Sequence, residues 1–471
     1  MEEFEYEKKK KKLKKEPIYM ILCLLCLVIG SVGGYWYSTK NITTDLTKQS
    51  TLYDEMAKNI ESFYLDTTDS QYSLQERILA GMVAALGDLH SSYLTSKQAA
   101  EYATSINGSF EGIGVLFRAV PFGALALDVY EGTPANQAGL MAGDLITHVE
   151  GTSIAGYDSD KIKERIQGEK GTSVSLKILR NGQEKTIQVT RNNVESSVNY
   201  HIDQNIGYLQ ITTFGNHTTE LVEKALQAFQ KENIKNICID LRDNGGGYLD
   251  AARGLLDLFL PNETTMFQVV DKKDNKKEYK STDCQKYTFD QGFILVNNGT
   301  ASASEVMTSA LKEQLNYTVI GETTYGKGTV QTQISLSDSS VLKLTYQKWL
   351  TSQGTWINEK GITPDYEVKR QTMDDIVVGK IEQSYQYDQV DEEIETLQKM
   401  LKIIGYQVDR TDGYFSKQTE NALKQFENKY GLKTDGIYSQ KDATLLLSAT
   451  SYYIYQEATD TQYQKVKELI K

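Results

Sequence analysis

Two side chains in the second half of the chain could together perform nucleophilic catalysis. Ser302 follows the apolar run 292–296, where a strand should turn into a helix, and Lys327 lies 25 residues further on. A serine hydroxyl needs a base to become a nucleophile, and a lysine can serve when burial lowers its pKa towards neutrality. One helix and one strand separate the two residues, so the chain could return both side chains to the same end of a sheet.

Both residues also have other interpretations. Ser302-Ala-Ser-Glu305 matches a capping box with Ser302 as the N-cap, so spacing alone leaves nucleophile and helix cap open. The segment Gly321–Gly328 matches the start of a phosphate loop, G-x-x-x-x-G-K, but such a loop must open a helix. The residues that follow alternate apolar and polar as a strand does, so a nucleotide site is not expected. In sequence, no carboxylate lies closer to Lys327 than Glu322.

The elements that must position these residues form an α/β layer. Apolar runs at 234–241, 292–296 and 317–320 predict strands, and the first two lead into turns and amphipathic helices. The first run ends in a glycine-rich loop, Arg242-Asp-Asn-Gly-Gly-Gly247. Loops gather at the strand ends of such a layer, which is a common place for functional sites. Cys238 lies inside the first run and is expected to be an unreactive core thiol.

Residues 105–192 have the period of strands, and Asn181-Gly182 predicts a tight hairpin. The order of elements, and above all TPANQAGLMAGDLITHVEG, resembles a PDZ domain. Backbone N–H groups around Gly112, Ile113 and Gly114 could form a nest for a terminal carboxylate, beside a strand edge that could pair with an extended peptide. The alternative is that these glycines only make a bulge.

Residues 386–449 form a further unit with an internal repeat. Asp412-Gly-Tyr-Phe-Ser416 recurs as Asp435-Gly-Ile-Tyr-Ser439, and each copy supplies a turn and a serine cap for a helix. With an earlier helix that carries Leu397 and Leu401, the pattern predicts a three-helix bundle. The unit resembles the peptidoglycan-binding module of cell-wall hydrolases. The alternative is a helical dimerisation tail.

The N-terminus has the pattern of a membrane anchor. Seven lysines lie within Lys8–Lys15, and residues 17–39 carry no charge. The length of this segment fits a bilayer crossing of about 20 residues, and the lysines should stay cytoplasmic. The alternative, a cleaved signal peptide, would have a shorter apolar region and a small-residue cleavage site. Residues 41–104 then predict amphipathic helices that pack in a core or in an oligomer.

Composition excludes several other classes of protein. The formal net charge is −12 and the body of the chain has no basic block, which argues against a nucleic-acid partner. The four histidines lie far apart without an HExxH motif, so neither a metal nor another cofactor is expected. Two of the four cysteines lie in the anchor segment, which excludes a disulfide scaffold.

The motifs around the two candidate catalytic residues carry a specific resemblance. NNGTASASE and GETTYGKGTVQ, preceded by IDLRDNGGG, are similar to the C-terminal processing (tail-specific) serine peptidases, over roughly residues 50–370. The resemblance implies a dyad of Ser302 as nucleophile and Lys327 as general base, with Gln331 helping to position the lysine. It also implies an oxyanion hole formed by the backbone N–H groups of Gly246 and Ala303.

The sequence departs from that family at two positions. Gly245 stands where the family usually has proline, which should loosen the oxyanion loop. Gln167 stands where such chains often carry arginine, so a contact between a PDZ arginine and the active site is in question.

The predicted fold is a multidomain chain of mixed α+β and α/β class, in which a PDZ domain is inserted in an α/β Ser-Lys protease core. The predicted boundaries are a cytoplasmic basic tail at 1–17, a transmembrane helix at 18–38, a helical region at 39–104, the PDZ domain at 105–192, the peptidase core at 193–380 and the small three-helix bundle at 386–449.

The predicted protein is a single-pass membrane-anchored serine endopeptidase whose N-terminus is cytoplasmic and whose catalytic domain is extracytoplasmic. Its partners would be proteins or peptides with accessible C-termini, the cytoplasmic membrane, peptidoglycan and a second copy in a homodimer. The competing class is a catalytically silent PDZ scaffold tethered to the cell wall. The presence of Ser302, Lys327 and Gln331 favours the enzyme.

Overall fold

The structure is a computed structural model that describes residues 52–65, 70–130, 132–282, 286–371, 376, 381–456 and 459–470. The predicted basic tail and transmembrane helix lie outside the described residues. Within the described residues, no helix combines the length and apolar character needed to cross a bilayer. The chain divides into two compact units, Met1–Tyr93 and Leu94–Lys471.

Helices of the first unit leave much of their apolar surface exposed. Helix α1 spans residues 52–63, and α2 spans Leu74–Ala84 after a capping box between Ser73 and Glu76. No residue of α2 is buried, and the side chain of Phe63 is 83% exposed. Packing against a second copy stays a prediction, which sedimentation velocity can test.

A short ribbon separates the PDZ-like domain from the rest of the chain. Strand β2 pairs antiparallel with β9, so that Ser109 lies opposite Glu195 and Gly112 opposite Asn192. The chain between these strands forms one inserted domain. The elements from the unit boundary to the end of the ribbon are β1 (Ser92–Leu94), α3 (Ser96–Asn107), β2 (Ser109–Gly112), β3 (Val115–Val120), β4 (Gly123–Val129), α4 (Pro134–Gln137), β5 (Leu145–Val149), β6 (Thr152–Ser153), α5 (Ser159–Ile166), β7 (Ser173–Arg180), β8 (Gln183–Thr190) and β9 (Asn192–Glu195).

The inserted domain confirms the predicted PDZ architecture. Its sheet has the order β3-β4-β5-β7-β8, with β6 paired to β5. The predicted hairpin is present, since β7 and β8 meet at Asn181 and Gly182, which both have positive φ. The core packs Ile162 and Ile166 of α5 against sheet residues that include Ile146. Strand β3 lies at the edge of this sheet, beside α5.

The peptidase part of the chain is built on a mostly parallel sheet. Its strand order is β10-β11-β12-β15-β16-β19, and β10 alone in that sheet runs antiparallel to its neighbour. The elements of this part are β10 (Val198–Asp203), β11 (Ile206–Ile211), α6 (Thr218–Lys231), β12 (Asn236–Asp240), α7 (Leu249–Asp257), β13 (Thr265–Asp271), β14 (Lys276–Lys280), β15 (Gln291–Val296), α8 (Ala303–Leu315), β16 (Thr318–Gly321), β17 (Thr329–Ser335), β18 (Val341–Thr351) and β19 (Tyr366–Glu367).

Both faces of this parallel sheet are covered. Helices α6, α7 and α8 contribute to one core cluster together with Ile237 and Ile239 of β12. The intervening residue, Cys238, points to the opposite face because side chains alternate along a strand. There it packs in a second cluster with Tyr463 and Val466. Cys238 is fully buried, as the sequence predicted.

A second sheet carries the segment that follows Lys327. Strand β13 pairs antiparallel with β14 and β18, and β18 also pairs with β17. Its residues Phe267 and Trp349 pack into the same cluster as α8. Because β17 is a strand and not a helix, the loop before it lacks the helix N-terminus that a phosphate loop requires.

The helices of the C-terminal region pack in two places. Three of them form a bundle, and the last one packs on the peptidase sheet. Helices α9 (Glu392–Ile403), α10 (Lys417–Lys429) and α11 (Gln440–Tyr455) share a core that includes Leu397, Phe426 and Leu446. This arrangement agrees with the predicted bundle, and Ser416 and Ser439 begin α10 and α11 as expected. Helix α12 (Thr461–Leu469) leaves the bundle and packs on the peptidase sheet.

The bundle also packs against the PDZ domain. Leu125, Leu127 and Leu145 of the PDZ sheet belong to the same buried cluster as the bundle helices. A Cβ atom on Gly143 would lie 3.5 Å from the ring of Tyr452 on α11. The sequence patterns predicted two separate domains, whereas in the structure the two domains bury apolar surface against each other.

Candidate active site

Ser302 lies at the sharp turn between the end of β15 and the start of α8. It is the N-cap of α8 and has φ 59° and ψ −116°. A positive φ is unusual for a residue with a Cβ, and such strain often marks functional turns. The side chain of Ser302 also lines an open cavity of about 390 Å³. Helix cap and candidate nucleophile are therefore compatible roles for this residue.

The buried carboxylate of Glu305 joins the Ser302 turn to the Lys327 loop. Its Oε2 accepts hydrogen bonds from the backbone N–H groups of Ser302 at 2.8 Å and Lys327 at 2.9 Å. Its Oε1 accepts from the backbone N–H of Gly326 and from Oγ1 of Thr324, both at 2.6 Å. One fully buried side chain thus holds the relative position of the two candidate catalytic segments.

The role of Glu305 was only partly visible in the sequence. The capping-box pattern predicted the bond to the Ser302 backbone, and the structure has that bond. By contrast, Glu322 is the nearest carboxylate to Lys327 in sequence, whereas in space Glu305 contacts the lysine backbone. No sequence pattern indicates a contact that spans 22 positions.

Lys327 and Gln331 are held beside Ser302 by the second sheet. The carbonyl oxygen of Lys327 accepts a hydrogen bond from Nε1 of Trp349 at 2.7 Å. Nε2 of Gln331 donates to Oγ1 of Thr329 at 2.9 Å and to Oγ1 of Thr345 at 3.1 Å. Ser302, Lys327 and Gln331 all line the 390 Å³ cavity. The structure therefore brings the predicted catalytic residues together.

The predicted oxyanion residues also lie at this turn. Gly246 has φ 102°, and a Cβ there would lie 2.9 Å from the Cβ of Ser302 and 3.0 Å from the backbone nitrogen of Ala303. Only glycine permits this close approach. The N–H of Gly246 donates to Oδ1 of Asn244 at 2.9 Å. One of the two predicted oxyanion donors is thus engaged within its own loop.

Asn244 is a connecting residue that the sequence analysis missed. Its side chain is fully buried, and Nδ2 donates to the carbonyl oxygen of Ile211 at 2.6 Å. Its own carbonyl oxygen accepts from the backbone N–H of Ala301 at 3.0 Å and from Oγ of Ser304 at 2.9 Å. Asn244 therefore links the glycine-rich loop to both sides of the Ser302 turn. Its place before three glycines was the only sequence signal.

A buried ionic cluster lies immediately before the glycine-rich loop. Arg242 donates from Nε and Nη2 to the carboxylate of Asp240 at 2.9 and 2.7 Å, and from Nη1 to Oδ2 of Asp460 at 2.5 Å. Nη1 also donates to Oε1 of Gln462 at 3.0 Å. Burial by itself raises the pKa of Asp240, but attraction and hydrogen bonds from Arg242 lower it below its usual value. The C-terminal region thus contributes a carboxylate to a buried cluster that directly precedes the glycine-rich loop.

The PDZ groove forms a second cavity, of about 820 Å³, between the edge strand β3 and α5. Ile113 and Gly114 line it, whereas Gly112 is paired in the β2–β9 ribbon and is not part of the lining. Gln167 lines it as well. Ser105 of α3 lines both this groove and the cavity that contains Ser302. Helix α3 therefore forms a wall shared by the two cavities.

The described residues offer no obvious metal site. Across the described ranges, no cluster of three or more histidine, cysteine, aspartate or glutamate side chains is arranged to hold a metal ion.

Comparisons with known proteins match three parts of the chain to known families and find relatives over most of its length. Residues 205–368 match the family model for peptidase family S41, residues 126–180 match a PDZ domain, and residues 390–443 match a putative peptidoglycan binding domain. The carboxy-terminal processing protease CtpB of Bacillus subtilis is 32% identical over 86% of this chain and 85% of its own length. The protease CtpA of the same organism is 33% identical over 89% of this chain and 90% of its own length.

Among solved structures, the photosystem II D1 C-terminal processing protease is 26% identical. It covers 66% of this chain and 86% of its own length, with a TM-score of 0.41.

Proposed function

The chain belongs to peptidase family S41 and is a serine peptidase of the carboxy-terminal processing type, and we propose that it cleaves peptide bonds through a Ser302–Lys327 dyad. The observation that carries this proposal is the single cavity lined by Ser302, Lys327 and Gln331. Glu305, which hydrogen-bonds the backbone of both dyad residues, supports it further.

In the first half of the proposed reaction, Oγ of Ser302 attacks the scissile carbonyl carbon while its proton passes to Nζ of Lys327. The tetrahedral intermediate then collapses, the C–N bond breaks, and Lys327 returns the proton to the leaving amine. Gln331 assists by orientation. Because its Nε2 is used by two threonines, Oε1 is the atom that it can offer to the lysine.

The oxyanion would be stabilised by the N–H at the start of α8. The Ala303 N–H lies at a helix N-terminus, where the helix dipole also favours negative charge. We assign the second donor to Gly246, whose N–H would exchange Oδ1 of Asn244 for the substrate oxygen. That exchange is favourable because a charged acceptor makes a stronger hydrogen bond than a neutral amide does.

In the second half, a water molecule hydrolyses the acyl-enzyme. Lys327 takes a proton from the water, and the hydroxide oxygen bonds to the acyl carbon. The ester bond to Ser302 breaks, and the proton returns to Oγ. The products are a new C-terminal carboxylate and the released segment.

We propose that the PDZ domain selects substrates by their free C-terminus. Ile113 and Gly114 line the groove next to the edge strand β3, and Gly114 has φ 84°. Successive N–H groups in such a turn can surround a carboxylate, and an edge strand can accept an extended peptide. Helix α3 would then separate the bound chain end from the bond that is cut.

A binding experiment tests the role of the PDZ groove. In the full chain carrying Ser302→Ala, a labelled peptide with a free C-terminus should bind at least about tenfold more tightly than its C-terminal amide, because a charged hydrogen bond is lost. Fluorescence anisotropy measures both affinities. Gly114→Ala should abolish the difference, since a Cβ there would lie 2.4 Å from Cβ of Thr133. Equal affinities for acid and amide would remove the support for this groove.

We further propose that the protein is held between membrane and cell wall. The uncharged segment 17–39 after a lysine cluster supports a membrane anchor with an extracytoplasmic catalytic domain. The match of residues 390–443 to a putative peptidoglycan binding domain supports a wall contact. Two contacts on one chain raise the local concentration of the peptidase without strengthening either contact.

The wall contact can be measured by sedimentation. A protein comprising residues 52–471 should pellet with purified peptidoglycan and stay in solution without it. Added salt should weaken this association only modestly if a surface groove, not net charge, makes the contact. If the protein stays in the supernatant at low and high salt alike, the bundle is better interpreted as a dimerisation or regulatory element.

A further inference from the structure

We propose that Lys343 binds a carboxylate of the substrate close to the scissile bond, on the side of the leaving segment, and so determines which bond is cut. This proposal rests on the proposed function, because it takes Ser302 as the reacting centre. No motif or pattern in the sequence indicates a role for Lys343.

The position of Lys343 follows from the pairing of β17 with β18. Lys343 lies opposite Gln333, and two residues away on each strand Gln331 lies opposite Thr345. Because side chains alternate along a strand, Gln331, Gln333 and Lys343 share one face of this hairpin. All three line the cavity that contains Ser302. The same register that presents Gln331 to the dyad therefore presents Lys343 to the substrate.

The charge of this cavity favours an anionic substrate group. Lys327 and Lys343 both line it, and no aspartate or glutamate occurs among the described residues of its lining. The chain as a whole carries a formal net charge of −12, so the lysine-lined cavity has the opposite charge character to the chain overall. Lys327 must be uncharged to act as a base. Lys343, the second lysine of this lining, is therefore the residue suited to hold a carboxylate.

The location of Lys343 within the cavity indicates which part of the substrate it meets. Its Nζ lies 5.0 Å from the ring centre of Tyr102 on α3, the helix that the cavity shares with the PDZ groove. If the substrate's C-terminus points towards that groove, the leaving segment passes Lys343. Lys343 and Ser302 line the same cavity, and each extended residue of a substrate advances by only about 3.3–3.6 Å. The bound carboxylate therefore lies within the first few residues after the scissile bond.

Either an α-carboxylate or an acidic side chain could supply this group, and substrate variants distinguish them. Three versions of one quenched peptide would be compared with the full chain. The first ends in a free carboxylate two or three residues after the cut, the second ends in the corresponding amide, and the third is the amide with aspartate for asparagine within those residues. The wild-type protein should cleave at least one acidic version about tenfold faster in kcat/KM than the neutral amide.

Variants of Lys343 then test the assignment. In Lys343→Gln the ratio of acidic to neutral kcat/KM should fall to about one, in Lys343→Glu it should fall below one, and Lys343→Arg should retain the preference. Lys348→Gln is the matched control, because Lys348 lies on the same strand but does not line the cavity. Thermal melting checks that each variant is folded.

Three results would overturn the proposal: no preference in the wild-type protein, a preference that survives Lys343→Gln, or an equal loss on all three peptides. An equal loss accompanied by a displaced pH profile would instead assign Lys343 to the tuning of Lys327. Failure of the dyad itself is distinguishable, because it would appear as turnover of the neutral amide by Ser302→Ala.

Discussion

Replacement of Lys327 by alanine should reduce kcat/KM by roughly 10⁴-fold or more, and Ser302→Ala should do the same. In the proposed mechanism the two residues act as a unit in one proton transfer, so the double variant should be no less active than either single variant. A quenched peptide or a loosely folded protein substrate measures the rates. Circular dichroism and thermal melting should remain close to those of the wild-type protein.

A second substitution at Lys327 separates the base from the positive charge. Arginine keeps the charge but does not lose a proton in proteins. Lys327→Arg should therefore be about as inactive as Lys327→Ala if the lysine acts as general base. Near-normal turnover in Lys327→Ala would reject the dyad. Substantial turnover in Lys327→Arg would mean that the residue contributes only its charge.

Replacement of Arg242 by methionine should destabilise the peptidase part by about 3–5 kcal/mol. The side chains of Asp240 and Asp460 are each 2% exposed, and both pair with Arg242. Without the guanidinium these buried carboxylates lose their principal cation. Because several domains unfold, the measurement is the displacement of the peptidase transition in a scanning calorimetry trace. We expect a decrease of about 10 °C.

The matched control for Arg242→Met is Arg253→Met on α7. Arg253 reaches Asp250 at 3.9 Å, and both side chains are exposed. Such a surface pair contributes little, so the transition should move by less than about 2 °C. A comparable decrease in both variants would mean that the buried cluster has no special role.

The effect of Arg242→Met should also depend on pH. Attraction to Arg242 lowers the folded-state pKa of Asp240, so its stabilising contribution is complete above the ordinary carboxyl pKa of about 4. That contribution is lost as pH falls through the lowered pKa. The difference in transition temperature between wild type and Arg242→Met should therefore be largest near neutral pH and shrink on acidification. A difference that stays constant into the acid range would contradict this interpretation.

Replacement of Arg242 should also lower catalytic activity, because the ionic cluster directly precedes the glycine-rich loop. Arg242 is two residues before Asn244, which bonds the N–H of Gly246 and the Ser302 turn. In the proposed mechanism Gly246 of this loop is an oxyanion donor, so loss of Arg242 should lower kcat more than KM, because such a donor stabilises the transition state more than the initial complex.

Local sequence patterns were sufficient to predict several elements of this protein before its tertiary structure was considered. Spacing alone left the role of Ser302 open between nucleophile and helix cap, and the family resemblance of the motifs around Ser302 and Lys327 indicated the dyad. The hairpin at Asn181 and Gly182 could be predicted because positive φ is accessible to these residues. The strands at 234–241 and 292–296 could be predicted from apolar runs, which also signal a sheet buried on both faces.

What covers the second face of that sheet could be decided only by the tertiary structure. Cys238 and Phe293 required a partner, and the partner is α12, which brings Tyr463 and Val466 from the far end of the chain. The helical pattern of 461–469 is short, and nothing in it indicates which surface of the protein the helix packs on. A hydrophobic contact is not directional, so sequence reveals that a face must be covered but not by which segment.

The same limit applies to the polar contacts of the active site. The capping box predicted that Glu305 would bond the Ser302 backbone, because that contact spans three residues. Its bonds to Thr324 and Lys327, and the bond from Arg242 to Asp460, join residues that are distant in sequence. Sequence reports local geometry through residue type and spacing. Contacts between distant segments depend on how the whole chain packs, so only the tertiary structure decided how the two candidate catalytic residues are held together.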